Sequence, residues 1–89
     1  MRKIGIVGST GSIGTQTLEV IRELNTAGHY CFDVVALSAG SNAKLLAKQA
    51  REFGVKLLCI DTEEGAEYLR NALSDISPRV LVGERGLET

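Results

Sequence analysis

Short apolar runs alternate along the chain with segments in which apolar residues recur at helical spacing. The runs occupy residues 4–7, 32–37, 55–60 and 79–82, and their length is that of buried strands. Between them, apolar residues recur every three or four positions, which is the period of a helix with one buried face. Strands that alternate with helices in this way predict a parallel sheet with helical crossovers.

Capping residues predict where the first two helices begin and end. The first helix follows a glycine-rich turn, and its apolar period ends near Asn25. The second helix has Ser41 or Asn42 as its N-cap, and Gly54 ends it.

The third helix has a different start signal. Asp61 predicts its N-cap, and Glu64, three positions later, completes the pattern of a capping box. Ser77 and Pro78 break the apolar period, so the helix ends before them. Residues 83–89 predict the entry to another helix.

These elements predict an α/β fold, a Rossmann-like doubly wound parallel sheet that is incomplete. The complete fold has about six strands in two halves, whereas the pattern here predicts four strands and three helices. We therefore expect residues 1–89 to form the N-terminal part of a nucleotide-binding domain. The chain contains no internal repeat and no linker that would divide it.

The charge balance excludes several classes of partner. Ten basic and eleven acidic residues give a net charge of -1, which provides no general attraction for nucleic acid or an anionic membrane. No apolar stretch approaches the roughly 20 residues of a membrane span, and the first apolar run is too short for a signal peptide. We expect a cytoplasmic protein that binds neither nucleic acid nor membrane.

The cysteines and the histidine do not predict a metal site. Cys31 and Cys59 lie inside apolar runs, with no CxxC spacing and no cluster of His or acidic neighbours. We expect both to be small buried hydrophobic residues in a reducing compartment. His29 lies in a polar connector, where we expect a solvated loop residue.

The residues that predict chemistry form the loop GSTGSIG, residues 8–14, between the first strand and the first helix. This loop lies at the carboxyl edge of the sheet, where ligands of open α/β folds bind. Its glycines let backbone N–H groups approach a diphosphate, the helix tip adds partial positive charge, and Ser and Thr hydroxyls offer further hydrogen bonds. The first acid of the helix is Glu19, beyond the first turn, so the tip is free for an external anion. A tight bend without a ligand is the simpler alternative.

The spacing of the glycines differs from the commonest motifs. Ser9 stands where the usual NAD fingerprint has its first glycine. No Lys follows the glycines, which excludes a P-loop for nucleoside triphosphates.

The end of the second strand favours NADPH over NADH. An acid there would accept from the ribose 2′-hydroxyl and repel a 2′-phosphate, but the segment 37–42 contains none. Asp33 lies at the start of the strand, at the opposite edge of the sheet. Lys44 either assists the phosphate or is a solvated helix residue.

The stretch IVGSTGSIGTQTLEVI resembles the opening of the 1-deoxy-D-xylulose 5-phosphate reductoisomerase family, in which GSTGSIG followed by TL and an aliphatic pair is characteristic. VVALSAGSN is similar to the family's second strand and cofactor turn, and VLVGERGLET to its fourth strand and helix entry. The resemblance covers nearly the whole chain.

This resemblance implies two groups of cofactor-binding residues. The first cradles the diphosphate and ribose of NADPH and comprises Thr10, Gly11, Ser12 and Ile13. The second surrounds the adenosine 2′-phosphate and comprises Gly40, Ser41 and Asn42. Many family members carry Lys or Arg in place of Ser41, so the phosphate contact here would lack a full charge.

The resemblance also implies a reaction. The family isomerises 1-deoxy-D-xylulose 5-phosphate and reduces the aldehyde intermediate with NADPH, giving 2-C-methyl-D-erythritol 4-phosphate for isoprenoid synthesis. It uses Mg²⁺ or Mn²⁺ held by acids of a following catalytic domain, and is usually homodimeric. The acidic cluster Asp61, Glu63 and Glu64 is interpreted as a helix cap and not as that metal site. With the catalytic and C-terminal domains outside this chain, we expect these residues alone to bind NADPH weakly and to catalyse nothing.

Two alternatives remain at this point. NADP-dependent semialdehyde and acyl-phosphate reductases have a similar glycine-spaced loop, although a small aliphatic or aromatic residue normally replaces Ser12 there. A receiver-like signalling module has the same alternation of strands and helices, and Asp61 matches its phosphorylated residue. That module needs paired acids where this chain has Gly8 and Ser9.

Overall fold

The computed structural model describes residues 2–28 and 32–83, and within them strands and helices alternate strictly. Predictions for His29, Cys31 and residues 84–89 lie outside these described residues. The elements are β1 (Arg2–Ile6), α1 (Ser12–Ala27), β2 (Phe32–Ala39), α2 (Ala43–Phe53), β3 (Leu57–Ile60), α3 (Glu63–Ala72) and β4 (Arg79–Val82). The four strands form one parallel sheet in the order β1-β2-β3-β4, which confirms the predicted α/β fold.

All three helices pack on one face of this sheet. Each strand pairs with its chain neighbour in one direction, and right-handed crossovers then place every connecting helix on the same side. One hydrophobic cluster joins the helices to the strands, with Leu18 of α1, Leu46 of α2, Leu69 of α3 and Leu58 of β3 among its most buried members. Burial of such a side chain stabilises the fold by about 1.5–3 kcal/mol.

Three strands begin or end away from the predicted positions. β1 starts two residues before the predicted position, at Arg2, and β2 continues two residues past its predicted end, to Ala39. β1 ends at Ile6, because its pairing with β2 stops there and Val7 is 79% exposed in the following turn. β3 begins at Leu57, because the N–H of Val55 donates to the Ala50 carbonyl and completes the end of α2. The Val55 side chain is nevertheless fully buried, which explains its place in the apolar run.

The first two helices end at left-handed glycines. α1 continues past Asn25 to Ala27, and Gly28 ends it with φ of 77°. The Asn25 side chain instead exchanges two hydrogen bonds with the Phe32 backbone, at 2.9 and 3.1 Å, and fixes the start of β2. α2 has Asn42 as its N-cap and Gly54 after its last residue, as predicted.

The predicted cap of the third helix is wrong by one residue. Thr62 is the N-cap, and its hydroxyl accepts from the N–H of Gly65 at 3.0 Å. The N–H of Asp61 donates to the Gly40 carbonyl at 3.0 Å, so the residue directly after β3 is still hydrogen-bonded to the neighbouring strand end. Because the helix starts at Glu63, Glu64 lies in its first turn and the capping box with Asp61 does not form.

Ion pairs connect the helices on their outer side. Arg22 of α1 pairs with Glu52 of α2, and Arg51 of α2 binds Asp75 in the turn after α3 at 2.9 Å. The hydrogen bonds from these arginines lower the pKa values of the two carboxyl groups. None of the helices in the described part is long and apolar enough to cross a bilayer.

Candidate cofactor-binding site

The loop between β1 and α1 turns sharply against the end of β2. Gly8 has φ of 70°, a left-handed conformation that glycine adopts without strain. Its N–H donates to the Ser38 hydroxyl at 3.1 Å, and the next N–H, of Ser9, donates to the Ser38 carbonyl at 2.8 Å. The loop therefore lies at the carboxyl edge of the sheet, as the sequence predicted.

Ser9 is directed into the protein and away from the loop surface. Its side chain is fully buried, and its hydroxyl donates to the Gln49 side-chain oxygen at 2.8 Å. The Gln49 amide nitrogen donates in return to the Ser9 carbonyl at 2.8 Å. The Ser9 hydroxyl is thus used inside the fold, whereas the neighbouring Thr10 is half-buried and Ser12 is exposed.

Sequence reasoning missed Gln49, although a signal for it exists. The apolar residues Leu46, Ala50 and Phe53 mark the inner face of α2, and Gln49 lies between them at helical spacing. A polar side chain on the buried face of a helix needs a partner inside the protein. The partner could not be identified from the sequence, because it is 40 residues away.

Within residues 2–28 and 32–83, no side chain completes the tip of α1. The helix begins after Gly11, which has extended backbone angles, and no side chain caps it. Its first turn contains no acid. The N–H groups of that turn and the positive end of the helix dipole therefore face the loop surface, where an anion binds favourably.

Gly14 allows this helix tip to lie directly on the loop. A Cβ at this position would be 2.2 Å from the Gly8 carbonyl oxygen and 2.6 Å from the Ser9 Cα. Both atoms belong to the backbone, so the clash could not be relieved by turning a side chain. Glycine at position 14 is thus required for the present distance between helix and loop.

An open groove of about 400 Å³ runs along the outer side of the loop. Gly11, Ser12 and Ile13 are exposed in it, and Ile13 keeps 79% of its surface accessible. Its lining residues are Ile6, Val7, Gly8, Gly11, Ser12, Ile13, Gly14 and Thr17. Thr10, the remaining residue of the first predicted group, is half-buried beside them.

The second predicted group lies in the turn after β2, next to the loop. Gly40, Ser41 and Asn42 are all exposed. The Asn42 side-chain oxygen accepts from the N–H of Leu45 at 3.2 Å and caps α2, whose first turn also lacks acids. Since Ser38 contacts both Gly8 and Ser9, the structure brings the two predicted groups to the same edge of the sheet.

Two charged residues, Lys44 and Asp61, lie near this turn, and a third, Asp33, does not. Lys44 is exposed in the first turn of α2. Asp33 pairs in register with Lys3 at the other edge of the sheet, as predicted. Asp61 follows β3, and its carboxylate would lie 3.8 Å from a Cβ at Gly40. The nearness of Asp61 was not predicted, because the sequence placed it in a helix cap.

The remaining polar groups of the described residues do not form a metal centre. No group of three or more His, Cys, Asp or Glu side chains within residues 2–28 and 32–83 is arranged to hold an ion. Cys59 is buried, as predicted, and its thiol donates to the Gly83 carbonyl. Burial, followed by the charge of Asp61, raises the pKa of this thiol.

A protein-family comparison matches almost all of the sequence. The family model described as 1-deoxy-D-xylulose 5-phosphate reductoisomerase aligns with residues 4–89. The chain belongs to this reductoisomerase family. The resemblance derived from the GSTGSIG loop is thereby confirmed, and the two alternative classes are not supported.

Curated reductoisomerases align over the same region. The enzyme of Agathobacter rectalis is 51% identical over 87 residues, covering 98% of this chain and 22% of its own length. That of Agrobacterium fabrum is 46% identical over 87 residues, with 98% and 21% covered. The chloroplastic enzyme of Oryza sativa subsp. japonica is 46% identical over 88 residues, with 97% and 18% covered. The chain therefore spans about a fifth of the length of these reductoisomerases.

Solved reductoisomerase structures share the fold. The Zymomonas mobilis reductoisomerase in complex with NADPH superposes with a TM-score of 0.82 at 33% identity, covering 97% of this chain and 22% of that one. A DOX-P reductoisomerase in complex with NADPH, fosmidomycin and magnesium gives a TM-score of 0.82 at 28% identity, with 98% and 21% covered. The four strands and three helices thus correspond to part of the reductoisomerase fold.

Proposed function

We propose that this chain is the NADPH-binding part of an enzyme that converts 1-deoxy-D-xylulose 5-phosphate to 2-C-methyl-D-erythritol 4-phosphate in the non-mevalonate isoprenoid pathway. The observation that carries the proposal is the uncapped, acid-free tip of α1, held on the glycine loop at the carboxyl edge of the sheet. Membership of the reductoisomerase family and the likeness to an NADPH complex support it.

The groove offers hydrogen-bond donors that suit a diphosphate. The cradle has no Cβ at Gly8, Gly11 or Gly14, so a ligand can approach its backbone closely. The N–H groups of the loop at Gly8, Ser9 and Gly11 are bonded within the protein, and those of the first turn of α1 provide the donors for a diphosphate. Hydrogen bonds from such groups to a charged oxygen are roughly twice as strong as those between neutral groups. The residues that bind the diphosphate and ribose are Thr10, Gly11, Ser12 and Ile13.

The turn after β2 binds the adenosine 2′-phosphate. Gly40, Ser41 and Asn42 provide exposed backbone and side-chain donors in front of the first turn of α2. The side-chain oxygen of Asn42 accepts the hydrogen bond that caps α2, and its amide nitrogen can donate to the phosphate. Lys44 supplies the positive charge nearest to the turn in sequence.

The chemical step takes place with residues outside this segment. NADPH supplies the hydride when bound, and a divalent cation, Mg²⁺ or Mn²⁺, is held by acids of a catalytic region beyond these 89 residues. Within this segment, the residues bind and orient the cofactor. The full-length enzyme acts on a phosphosugar in the cytoplasm as a homodimer.

Turnover by the full-length protein tests the proposal. Oxidation of NADPH on addition of 1-deoxy-D-xylulose 5-phosphate and Mg²⁺ is the expected result, with no oxidation when an aldehyde or acyl phosphate replaces the sugar. Turnover of only the aldehyde or acyl phosphate would show that the assigned reaction is wrong. The 89-residue chain alone serves as the control and should give no turnover.

A further inference from the structure

Gln49 stands apart from the other polar residues of α2. Within residues 2–28 and 32–83, the buried polar side chains are those of Ser9, Ser38 and Gln49. Ser9 belongs to the glycine loop and Ser38 to the strand end that contacts it, whereas Gln49 comes from a helix that does not line the groove. The role of Gln49 must therefore be exerted through its contacts.

The contact between Gln49 and Ser9 consists of two reciprocal hydrogen bonds. The Ser9 hydroxyl donates to the Gln49 oxygen, and the Gln49 nitrogen donates to the Ser9 carbonyl, both at 2.8 Å. Ser9 is 0% and Gln49 6% exposed, so water does not compete for these bonds. Hydrogen bonds are stronger in such surroundings, and an unpaired polar group is correspondingly unfavourable.

These bonds complete the fixation of Ser9. Its N–H donates to the Ser38 carbonyl, so backbone N–H, backbone carbonyl and side-chain hydroxyl of this residue are all engaged. On the opposite side, the missing Cβ of Gly14 allows α1 to approach the Ser9 Cα. The loop between Gly8 and Gly11 therefore cannot move relative to α1 without breaking contacts at Ser9.

Helix α2 consequently carries both parts of the proposed cofactor site. Its N-terminus is capped by Asn42, next to Ser41, in the turn assigned to the 2′-phosphate. Two turns later, the same helix holds the diphosphate loop through Gln49. The rigid helix fixes the distance between the two phosphate-binding groups.

We propose that Gln49 is a positioning residue for NADPH binding, acting through Ser9 to hold the glycine loop against the tip of α1, whose N–H groups bind the diphosphate. The inference rests on the proposed function, because it assumes that the loop binds this cofactor. Gln49 itself touches neither cofactor nor substrate. Its loss affects binding of NADPH more than the turnover of the bound complex.

Gln49→Met in the full-length protein tests this role, because methionine has a similar length and lacks both the donor and the acceptor. The dissociation constant for NADPH, measured by titration of protein fluorescence, should rise about tenfold, because a displaced loop and helix tip would lose hydrogen-bond energy to the charged diphosphate. The KM for NADPH should rise equally, and kcat should stay within about twofold of the wild-type value. An unchanged dissociation constant would overturn the proposal.

Two further variants separate positioning from general stability. Leu69→Ala removes a fully buried side chain of α3, far from the loop in sequence, and should lower the thermal midpoint without changing NADPH affinity. An equal loss of affinity in this control would show that Gln49 acts only through overall stability and would reject the proposal. If Gln49→Met does not fold, Ser9→Ala replaces it as the test, because this substitution removes one of the two hydrogen bonds. The dissociation constant for NADPH should then rise about threefold. Wild-type affinity in Ser9→Ala would overturn the inference.

The wild-type titration distinguishes failure of this inference from failure of the proposed function. Absence of NADPH binding by the wild-type protein would refute the assignment of the cofactor. Tight binding by both wild type and Gln49→Met would leave the cofactor assignment intact and reject only the role of Gln49.

Discussion

At the scale of single residues, Gly14 is the position where a minimal change has the largest expected effect. Alanine normally stabilises the interior of a helix relative to glycine by about 1 kcal/mol. At Gly14 the added methyl group would meet backbone atoms at 2.2 and 2.6 Å, so the helix or the loop must shift. The local clash therefore outweighs the gain in helix propensity.

Gly14→Ala in the full-length protein should lower the free energy of unfolding by about 1–3 kcal/mol, the usual range for overpacking. It should also raise the NADPH dissociation constant about tenfold, which corresponds to about 1.4 kcal/mol. Gly65→Ala, in the first turn of α3, is the matched control, because the three atoms nearest to its methyl group belong to the side chains of Ile60 and Thr62. The control should lose stability and keep its NADPH affinity. Wild-type affinity in Gly14→Ala would show that the close approach is not needed for binding.

Under the proposed function, the residue at position 41 determines how strongly the turn distinguishes NADPH from NADH. It is exposed and uncharged, and the Asp61 carboxylate lies near the adjacent Gly40. Ser41→Lys should lower the NADPH dissociation constant about threefold, since an exposed ion pair contributes about 0.2–1 kcal/mol. NADH affinity should not change, and the gain should decrease with added salt. Gln16→Lys, on an exposed position of α1, controls for net charge; an equal gain there would contradict a local effect.

Individual residues also show where sequence reasoning ends. The glycines and the neutral turn were found because their chemistry is local: a positive φ, a free helix tip and the absence of an acid are all visible in a few neighbouring letters. The fixation of Ser9 by Gln49 and the nearness of Asp61 to Gly40 depend on packing between distant segments. Such contacts follow from the positions of whole elements and not from local patterns.

At the scale of elements, the first turn of α1 lacks the side chains that stabilise the start of other helices. Most helices complete their first turn with a capping side chain or an acid, but α1 has neither. α3, by contrast, has the Thr62 cap and two acids, Glu63 and Glu64, in its first turn. The first turn of α3 is thus completed within the protein, whereas that of α1 is not.

Ser12→Asp should make α1 more like α3. An acid in the first turn stabilises a helix by about 0.3–1 kcal/mol, so the thermal midpoint of the cofactor-free protein should rise slightly. The same charge repels a diphosphate, and the NADPH dissociation constant should rise at least about tenfold. Ser12→Asn provides the neutral control of similar shape and should bind NADPH more tightly than the aspartate variant. Equal affinities for the two variants would place the diphosphate elsewhere.

The elements themselves were predicted in the correct order and number, and their ends were predicted less well. Apolar periodicity reports which side of an element is buried, so it located all strands and helices of the described residues. It does not report hydrogen bonding, which decides boundaries. Val55 is as buried as the residues of β3, but its N–H completes the end of α2. Whether Asp61 or Thr62 caps α3 depends on the residue at which hydrogen bonding to the neighbouring strand ends.

At the scale of the whole molecule, the outer ion pairs make stability depend on acid pH. The hydrogen bond from Arg51, followed by smaller contributions, holds the pKa of Asp75 below its value in the unfolded chain. A carboxyl group whose folded pKa is lowered stabilises the fold above its unfolded pKa, and this contribution disappears as the pH falls through the folded pKa. Both groups are exposed, so the effect is small and sensitive to salt.

Asp75→Asn isolates this contribution, because it keeps the shape and removes the charge. The urea midpoint should be lower than that of the wild type near neutral pH, and the difference should disappear as the pH falls through the folded pKa of Asp75, because the wild-type carboxyl group then becomes neutral. Glu67→Gln, an exposed position of α3 without an ion pair among the described residues, should show no such difference at neutral or acid pH. A difference for Asp75→Asn that persists at acid pH would point to packing and not to charge.

The order of strands also has a consequence for how the protein is made. β2, β3 and β4 each pair with the preceding strand, so a pairing partner has already been synthesised when each of them is made. The partners that secure Ser9, namely Ser38 and Gln49, both precede β3 in the chain. A nascent polypeptide can therefore form the contacts around Ser9 soon after the second helix leaves the ribosome, before the third and fourth strands are made.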